Sequence, residues 1–476
     1  MSFPANSQMK NEIKSFYQIS KEELQNHVNY LANDKLEGRE PGTEGHILAE
    51  IYVDSIFQNH NLKKICIDEK GNKSFYQNIT IESLKIDEQT KVIISNSEHK
   101  NTFSFRDNFY LFHFGKLENE NLKGEIVFLG NGIYEPDFQI DDYKDKSIKN
   151  KWIIINESIS NNNLDLLPDS LQLKYKDIHV SSLIRSQAAF EKGAIGILIA
   201  PSEIGINYWN IREQAFRDYY TLPELKTPYR SSEIPIIMID TTMYNTISSS
   251  PSSFTLELEK YITRERTINS NNVIGMVSGT QKDNESFIVI GAHLDHEGKK
   301  EGKIYNGADD NASGIAALLE LSKSVWENPC RNNIVFVAFT AEEIGALGSY
   351  YFINNFPVKS DKIISMINLD MIGRLDGDAK ELAIISPNYG KTELNEIIKN
   401  TREDYNEIDW EYMENFARKY SGDHFPFVLN NIPSVMIFSG IHPDYHQTTD
   451  DPGKIDYDFL FYNTKFTYNF LKKIDE

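Results

Sequence analysis

The chain has little of what several classes of protein depend on. Only Cys66 and Cys330 occur in 476 residues, which excludes a disulfide scaffold and a zinc site built on cysteine. No stretch of about 18 apolar residues exists, so we expect no membrane span. Lys and Arg number 49 against 70 Asp and Glu. The net charge of −21 argues against nucleic acid as a partner, because a phosphate backbone repels such a surface.

The first twenty residues, MSFPANSQMKNEIKSFYQIS, contain neither an apolar core nor a small-residue cleavage site. They therefore do not predict a secretory signal. As written, the sequence favours a cytoplasmic location, whereas a secreted or periplasmic location would require an export signal removed ahead of it. The sequence does not indicate an oligomeric state.

The C-terminal half of the chain has the pattern of an α/β fold. From about residue 271, continuous apolar runs alternate with segments of helical periodicity. The runs 286–293, 333–341, 362–370 and 433–440 are typical of strands buried on both faces, and 311–328 is typical of a helix. This alternation predicts a mixed, largely parallel sheet flanked by helices.

The middle of the chain has a different sequence pattern. Between about 102 and 250, four strand-like runs are separated by long polar stretches, and no cluster of metal ligands occurs there. At this length the chain can hold two or three domains. We therefore predict residues 1–101 as the N-terminal part of the main domain, 102–250 as an inserted β-rich domain, and 251–476 as the main part that carries the metal site.

Five short motifs contain candidate metal ligands and a candidate base. They are GAHLDH with His293, GADDNASG with Asp309, TAEEIGALGS with Glu342 and Glu343, MINLDMIG with Asp370, and DYHQTTDD with His446. Most of these residues follow predicted strands, and His446 lies in the loop after the last one. Ligands of parallel sheets bind beyond the carboxyl ends of the strands, so we expect these side chains to meet.

Two histidines and four carboxylates suit two zinc ions. Zinc binds imidazole nitrogen and carboxylate oxygen, and a catalytic ion keeps one position open. Of the two adjacent glutamates, one can bind metal while the other acts as a general base. Tyr445, beside His446, could donate its hydroxyl to the oxyanion of a tetrahedral intermediate, although simple packing explains its presence equally well.

These motifs, in this order, resemble those of the M28 family of zinc peptidases over about 271–455. LEGREPGTEG at 36–45 resembles the N-terminal segment of that family. AAFEKGAIGILI in the middle region resembles the protease-associated (PA) domain that is inserted in many members. The resemblance implies a zinc-exopeptidase fold with a PA-like insert. It also implies a hydrolase, an aminopeptidase that binds two zinc ions and cleaves peptides.

The resemblance further implies a role for each residue. The ligands would form two sites: His293 and Asp370 in one, Glu343 and His446 in the other, with Asp309 bridging both. Glu342 would be the general base, and Asp295 would orient the imidazole of His293. A cis peptide would join Asp309 to Asp310. Apart from the resemblance, we expect His296 at the surface or beside a ligand, outside the ligand set, and His442 in a loop.

Other functions remain open for the same site. A carboxypeptidase acting on acidic dipeptides, or a glutaminyl cyclase with one zinc, would use the same fold, although the complete two-metal set argues against the cyclase. A non-catalytic, receptor-like binding protein is the alternative from another class, but such proteins tend to lose ligands that this chain keeps. Substrate specificity is expected in loops such as 374–380 and 410–425, and in the aromatic stretch 206–220 of the insert.

Overall fold

The structure is a computed structural model that describes most of the chain. The described residues are 19–157, 159, 167–168, 171–172, 175, 178–202, 206, 209, 218–223, 232–249, 254–281, 285–357, 360–375, 382–385, 394, 396–397, 400–401, 410–413 and 422–476. Much of the three predicted specificity segments, 206–220, 374–380 and 410–425, lies outside these residues.

Eight α-helices occur in the described residues: α1 Lys21–Leu31, α2 Glu44–Asn59, α3 Ile178–Glu191, α4 Thr241–Ser248, α5 Gly314–Glu327, α6 Leu347–Asn355, α7 Phe425–Leu429 and α8 Tyr457–Asp475. Side-chain caps explain where several of them begin. The Ser20 hydroxyl accepts the N–H of Glu23 at the start of α1, and the Asp456 carboxylate accepts the N–H of Phe459 at the start of α8. Each cap satisfies a backbone donor that the helix itself leaves unpaired.

The strands of the described residues are β1 Lys63–Lys64, β2 Cys66–Ile67, β3 Lys73–Ser74, β4 Tyr76–Ile86, β5 Lys91–Ser95, β6 Lys100–Ser104, β7 Phe109–Phe114, β8 Glu120–Gly130, β9 Tyr134–Glu135, β10 Ile140–Asp141, β11 Trp152–Asn156, β12 Gly196–Ala200, β13 Asp218–Thr221, β14 Pro235–Ile239, β15 Thr255–Lys260, β16 Ile262–Val277, β17 Phe287–His293, β18 Lys299–Lys300, β19 Lys303–Ile304, β20 Asn333–Phe339, β21 Ile363–Leu369, β22 Leu382–Ile385, β23 Trp410–Met413 and β24 Ser434–Phe438.

The chain divides into two compact units. Unit 1 contains residues 1–81 and 268–476, and unit 2 contains 82–267. Unit 2 is therefore longer at both ends than the predicted insert, 102–250. The reason is strand pairing: β15 pairs with both β5 and β8, and β5 pairs with β6, so these strands belong to unit 2. The PA-like character of this unit stays a prediction.

Unit 1 contains a mixed sheet with a parallel centre. β17 pairs in parallel with β20 on one side and with β21 on the other, and β24 continues the parallel set beside β21. β16 and β22 flank these strands in antiparallel orientation. The fold is thus the mixed α/β architecture that the alternating pattern predicts, and the carboxyl ends of four parallel strands lie at one edge.

Helices cover both faces of this sheet. Ile288 and Ile290 of β17 pack in one buried cluster with α5 and residues of α1 and α8, while Val289 packs in a second cluster with Phe352 of α6 and Phe427 of α7. Successive side chains of a strand point to opposite faces, so a strand covered on both faces is apolar throughout. This double burial explains the continuous apolar runs of the sequence.

Unit 2 has its own sheet, in the order β6-β5-β15-β8-β11-β12-β14-β7. Four of these strands, β8, β11, β12 and β14, are parallel neighbours, and the outer pairings are antiparallel. A separate buried cluster, which includes Trp152 and Ile197, supports this sheet. None of the helices in the described part of the chain combines the length and apolar character that crossing a bilayer requires.

Candidate metal centre

The predicted site residues lie at the carboxyl edge of the unit 1 sheet. His293 is the last residue of β17, Asp370 directly follows β21, and Glu342 and Glu343 follow β20 by three and four positions. His446 lies in the loop after β24. Because these strands are parallel neighbours, their ends bring the residues within reach of one another.

A first group of donor atoms forms around His293. Its Nε2 lies 3.2 Å from Oδ1 of Asp310 and 3.4 Å from Oδ1 of Asp370. His293, Asp310 and Asp370 are all buried. Nδ1 of His293 lies 3.1 Å from the backbone carbonyl oxygen of Asp295, which fixes the ring orientation.

A second group forms around His446. Its Nε2 lies 3.0 Å from Oε2 of Glu343 and 3.2 Å from Oδ2 of Asp310. The His446 side chain is 30% exposed, so this group is the one open to solvent. The two oxygens of Asp310 thus face different groups, Oδ1 towards His293 and Oδ2 towards His446.

Asp309, the predicted bridging residue, does not lie in either group. Its Oδ1 accepts the N–H of Gly373 at 2.7 Å, and its Oδ2 lies 3.3 Å from Nε2 of His442. Asp310 lies between the two groups instead. The cis peptide bond likewise joins Asp310 to Asn311 and not Asp309 to Asp310. Two adjacent aspartates share the same sequence signal and both are buried, and the turn at 308–313 decides which of them faces the two groups.

Asp295 also differs from its predicted contact. Its carboxylate does not hold the His293 ring, which its backbone carbonyl does. The carboxylate oxygens accept the backbone N–H groups of Glu342 and Glu343 at 3.1 and 3.2 Å. Asp295 therefore fixes the turn that carries the two glutamates, and through it the position of both side chains.

The surroundings separate the acidities of the two glutamates. Burial of the carboxyl, reinforced by Glu343 and Asp423, raises the pKa of Glu342 well above its usual value although His293 opposes the shift. Burial and the charge of Asp310 also act to raise the pKa of Glu343, but His296 and His446 outweigh them and lower it to about 2. Opposite pKa shifts in a pair of carboxyl groups are typical of sites in which the two groups have different protonation roles.

Two residues that the sequence analysis missed hold the loops of the site. The buried carboxylate of Asp450, in DYHQTTDD, accepts the N–H groups of Asp309 at 3.0 and 3.1 Å and of Asp310 at 3.1 Å. Burial and the neighbouring Asp309 raise the pKa of Asp450 to about 6. Arg39, in LEGREPGTEG, donates to the carbonyl oxygens of Leu294 and Asn306 among others. Both residues lie in motifs quoted above, which could have marked them as candidates. The motifs do not indicate which distant residues they contact.

Other candidate residues lie nearby. The Tyr445 ring stacks on the His446 ring with 3.8 Å between centroids, and it packs against Met371 and Phe438. Asp423, from SGDHFPF, is fully buried, and burial raises its pKa to about 7. His296, which was expected outside the ligand set, is buried beside Glu343 with 2.7 Å between its Nδ1 and Oε1.

The donor atoms fit zinc in kind and spacing. Donors about 2.0–2.2 Å from a tetrahedral ion lie about 3.3–3.6 Å from each other. The separations of 3.2 and 3.4 Å in the first group, and of 3.0 and 3.2 Å in the second, are close to this range. Nitrogen and carboxylate oxygen are also the ligands that zinc takes in catalytic sites.

Comparisons with known proteins support the family resemblance. Residues 272–470 match the model of peptidase family M28. Aminopeptidase YwaD of Bacillus subtilis is 28% identical over 188 residues, which are 38% of this chain and 39% of that protein. A probable leucine aminopeptidase of Trichophyton verrucosum is 25% identical over 215 residues, 43% of this chain and 57% of that protein. The matched region thus spans only part of these relatives.

Among solved structures, the aminopeptidase from Aneurinibacillus sp. strain AM-1 has a similar fold. The two structures align with a TM-score of 0.55 and 18% sequence identity, over 95% of this chain and 93% of the other. At this identity the likeness concerns the fold alone.

Proposed function

We propose that this chain, whose residues 272–470 are a peptidase family M28 domain, is a two-zinc aminopeptidase that removes N-terminal residues from peptides. The observation that carries the proposal is the geometry of Asp310. One carboxylate presents one oxygen to a His–Asp group and the other oxygen to a His–Glu group, with donor separations of 3.2 Å on each side. Such a bridge is the arrangement that holds two ions side by side.

His293, Asp370 and Oδ1 of Asp310 would hold one ion, and His446, Glu343 and Oδ2 of Asp310 the other. When bound, a pair of zinc ions would polarise the scissile carbonyl and lower the pKa of water from about 15.7 towards 7. The chain's own residues then have to position the peptide and move protons.

Glu342 is the residue proposed to move the proton. Among the described residues it belongs to none of the clusters of side chains that are spaced to hold an ion, and its backbone is fixed by Asp295. Its raised pKa makes its carboxylate a better proton acceptor than an ordinary glutamate. Glu342 would accept a proton from the attacking water and return it to the leaving amine. The hydroxyl of Tyr445 is proposed to donate to the oxyanion of the tetrahedral intermediate.

The surplus of acids favours an N-terminal amine over a C-terminal carboxylate as the recognised end. Besides the proposed ligands, Glu342, Asp423 and Asp295 lie near His293 and influence one another's pKa. The nearby Arg374 is engaged with Asp444, with 2.9 Å between Nη1 and Oδ2. A cationic ammonium group is attracted to such surroundings, whereas a carboxylate is repelled.

The test uses purified zinc-loaded protein and its Glu342→Gln variant on aminoacyl nitroanilides. We expect the variant to keep its zinc and to lose turnover by about 10²–10⁴-fold, because only the proton acceptor is removed. An N-acetylated nitroanilide and a peptide with a free C-terminus serve as controls. Cleavage of the acetylated substrate, removal of C-terminal residues, cyclisation of N-terminal glutamine, or no turnover at all would contradict aminopeptidase function.

A further inference from the structure

The two residues after Asp295 contact Glu343 and His446, the two proposed ligands that belong to the second group alone. Nδ1 of His296 lies 2.7 Å from Oε1 of Glu343, and Oε1 of Glu297 lies 3.4 Å from Nδ1 of His446. Both contacts reach the second group, which contains Glu343 and His446. In the first group, the corresponding support of His293 comes from a backbone carbonyl.

His296 is held rigidly. Its side chain is fully buried, and its ring packs against Gly307, where a Cβ atom would lie 2.6 Å from the Cγ and Cδ2 atoms of the ring. Its Nε2 is buried and has no hydrogen-bond partner among the described residues, so Nδ1 carries the polar contact of the ring. Nδ1 lies 3.8 Å from Oδ2 of Asp310, too far for a direct hydrogen bond.

The contact with His296 gives the two oxygens of the Glu343 carboxylate different partners. Oε1 accepts from Nδ1 of His296, while Oε2 faces Nε2 of His446 at 3.0 Å. Glu343 can therefore offer one oxygen to an ion without rotating, and its second oxygen is already engaged. A carboxylate with two free oxygens would be able to rotate or to bind in a bidentate manner and fill the open coordination position.

We propose that His296, assisted by Glu297, is a positioning residue that sets the zinc affinity of the second group without altering the first. The proposal rests on the two-zinc function proposed above. Residues that orient metal ligands typically contribute 10–100-fold in metal affinity. The Glu297 contact is longer and lies on a partly exposed histidine, so its contribution is expected to be smaller than that of His296.

The experiment measures zinc affinity, not activity. Apoprotein is titrated with zinc against a chromophoric chelator, which gives two stepwise dissociation constants. We expect His296→Ala to weaken the second zinc by about 10–100-fold. His296→Asn, whose amide N–H can replace Nδ1–H, is expected to restore most of the affinity. His442→Asn is the matched control, because His442 is a buried neighbouring histidine that faces Asp309.

A double variant tests whether His296 acts on the zinc affinity of the second group alone. His446→Ala removes a ligand of the second group only, so adding His296→Ala to it is expected to leave the remaining zinc affinity unchanged. Equal weakening of both ions, no weakening, or failure of His296→Asn to rescue would overturn the proposal. If the unmodified protein itself binds fewer than two zinc ions, the two-zinc function fails instead, so the two outcomes are distinguishable.

Discussion

Each of the two units buries one arginine that donates to four backbone carbonyls. In unit 1 it is Arg39, and its partners are the carbonyl oxygens of Leu31, Leu294, Asn306 and Gly307. In unit 2 it is Arg185, and its partners are those of Asn131, Asn156, Glu157 and Ser181. Burial lowers the pKa of each guanidinium to about 10.

The two arginines differ in what the loops they hold carry. Leu294 follows the proposed ligand His293, and Gly307 lies just before Asp310, so Arg39 joins two ligand loops. Around Arg185 the charged and polar neighbours are Tyr143, Tyr175 and Glu157. Within the described residues, all groups of side chains spaced to hold an ion lie in unit 1. The same kind of buried arginine therefore supports the proposed metal site only in unit 1, where the loops that it holds carry candidate metal ligands.

The largest effect is expected from one carboxylate in unit 1, because unit 2 has no counterpart of it among the described residues. Asp310→Asn removes the bridging acid, so we expect the zinc content to fall from two ions per chain to at most one weakly bound ion, with turnover lost. Asp309→Asn is the matched control and is expected to keep both ions, because an amide oxygen can still accept from the N–H of Gly373. Metal analysis after dialysis measures both variants. Loss of zinc in Asp309→Asn alone would instead identify Asp309 as the bridging residue.

The paired arginines provide the next test. Arg39→Met and Arg185→Met should each destabilise their own unit by about 3–5 kcal/mol, because buried carbonyls lose their donors. Only Arg39→Met should also weaken zinc binding. Denaturant unfolding and chelator competition measure the two effects. Equal loss of zinc affinity in both variants would contradict a specific role for Arg39, and Arg39→Lys provides a folded variant if methionine is not tolerated.

The effect of metal removal on the stability of the backbone should be the smallest of the three, and it should be confined to unit 1. A chelator removes zinc ions, which bind only the folded state. The neighbouring carboxylates of the site then repel one another, because no cation balances their charge. We expect faster amide hydrogen exchange in 308–314, 340–346 and 440–450, and unchanged exchange in β11, β12 and β14 of unit 2. Faster exchange in the unit 2 strands would contradict the expectation that zinc stabilises unit 1 alone.

Much of the fold and the location of the site could be predicted, because both follow from local patterns. β17, β20, β21 and β24 lie within the predicted apolar runs, since strands covered on both faces need continuous apolar residues. The position of His293 and Asp370 at strand ends follows from the same runs. The parallel arrangement then brings them together without further information.

The remaining features depend on contacts between distant residues. The choice between Asp309 and Asp310 is made by a turn that Asp450 holds from 140 and 141 residues away. Arg39 reaches Leu294 across 255 residues. The ends of unit 2 depend on the pairing of β5 with β15, which lie far apart in the sequence. No local pattern contains such pairings, so the sequence predicted other bounds for the insert and other contacts for Asp309, and gave no indication of the partners of Arg39 and Asp450.

Crystals grown with zinc, measured on both sides of the zinc absorption edge, would show whether Asp310 bridges two zinc ions. We expect two anomalous peaks about 3.5–4 Å apart, one beside His293 and Asp370 and one beside Glu343 and His446, with Asp310 between them. A single peak, or a pair bridged by Asp309, would contradict this expectation.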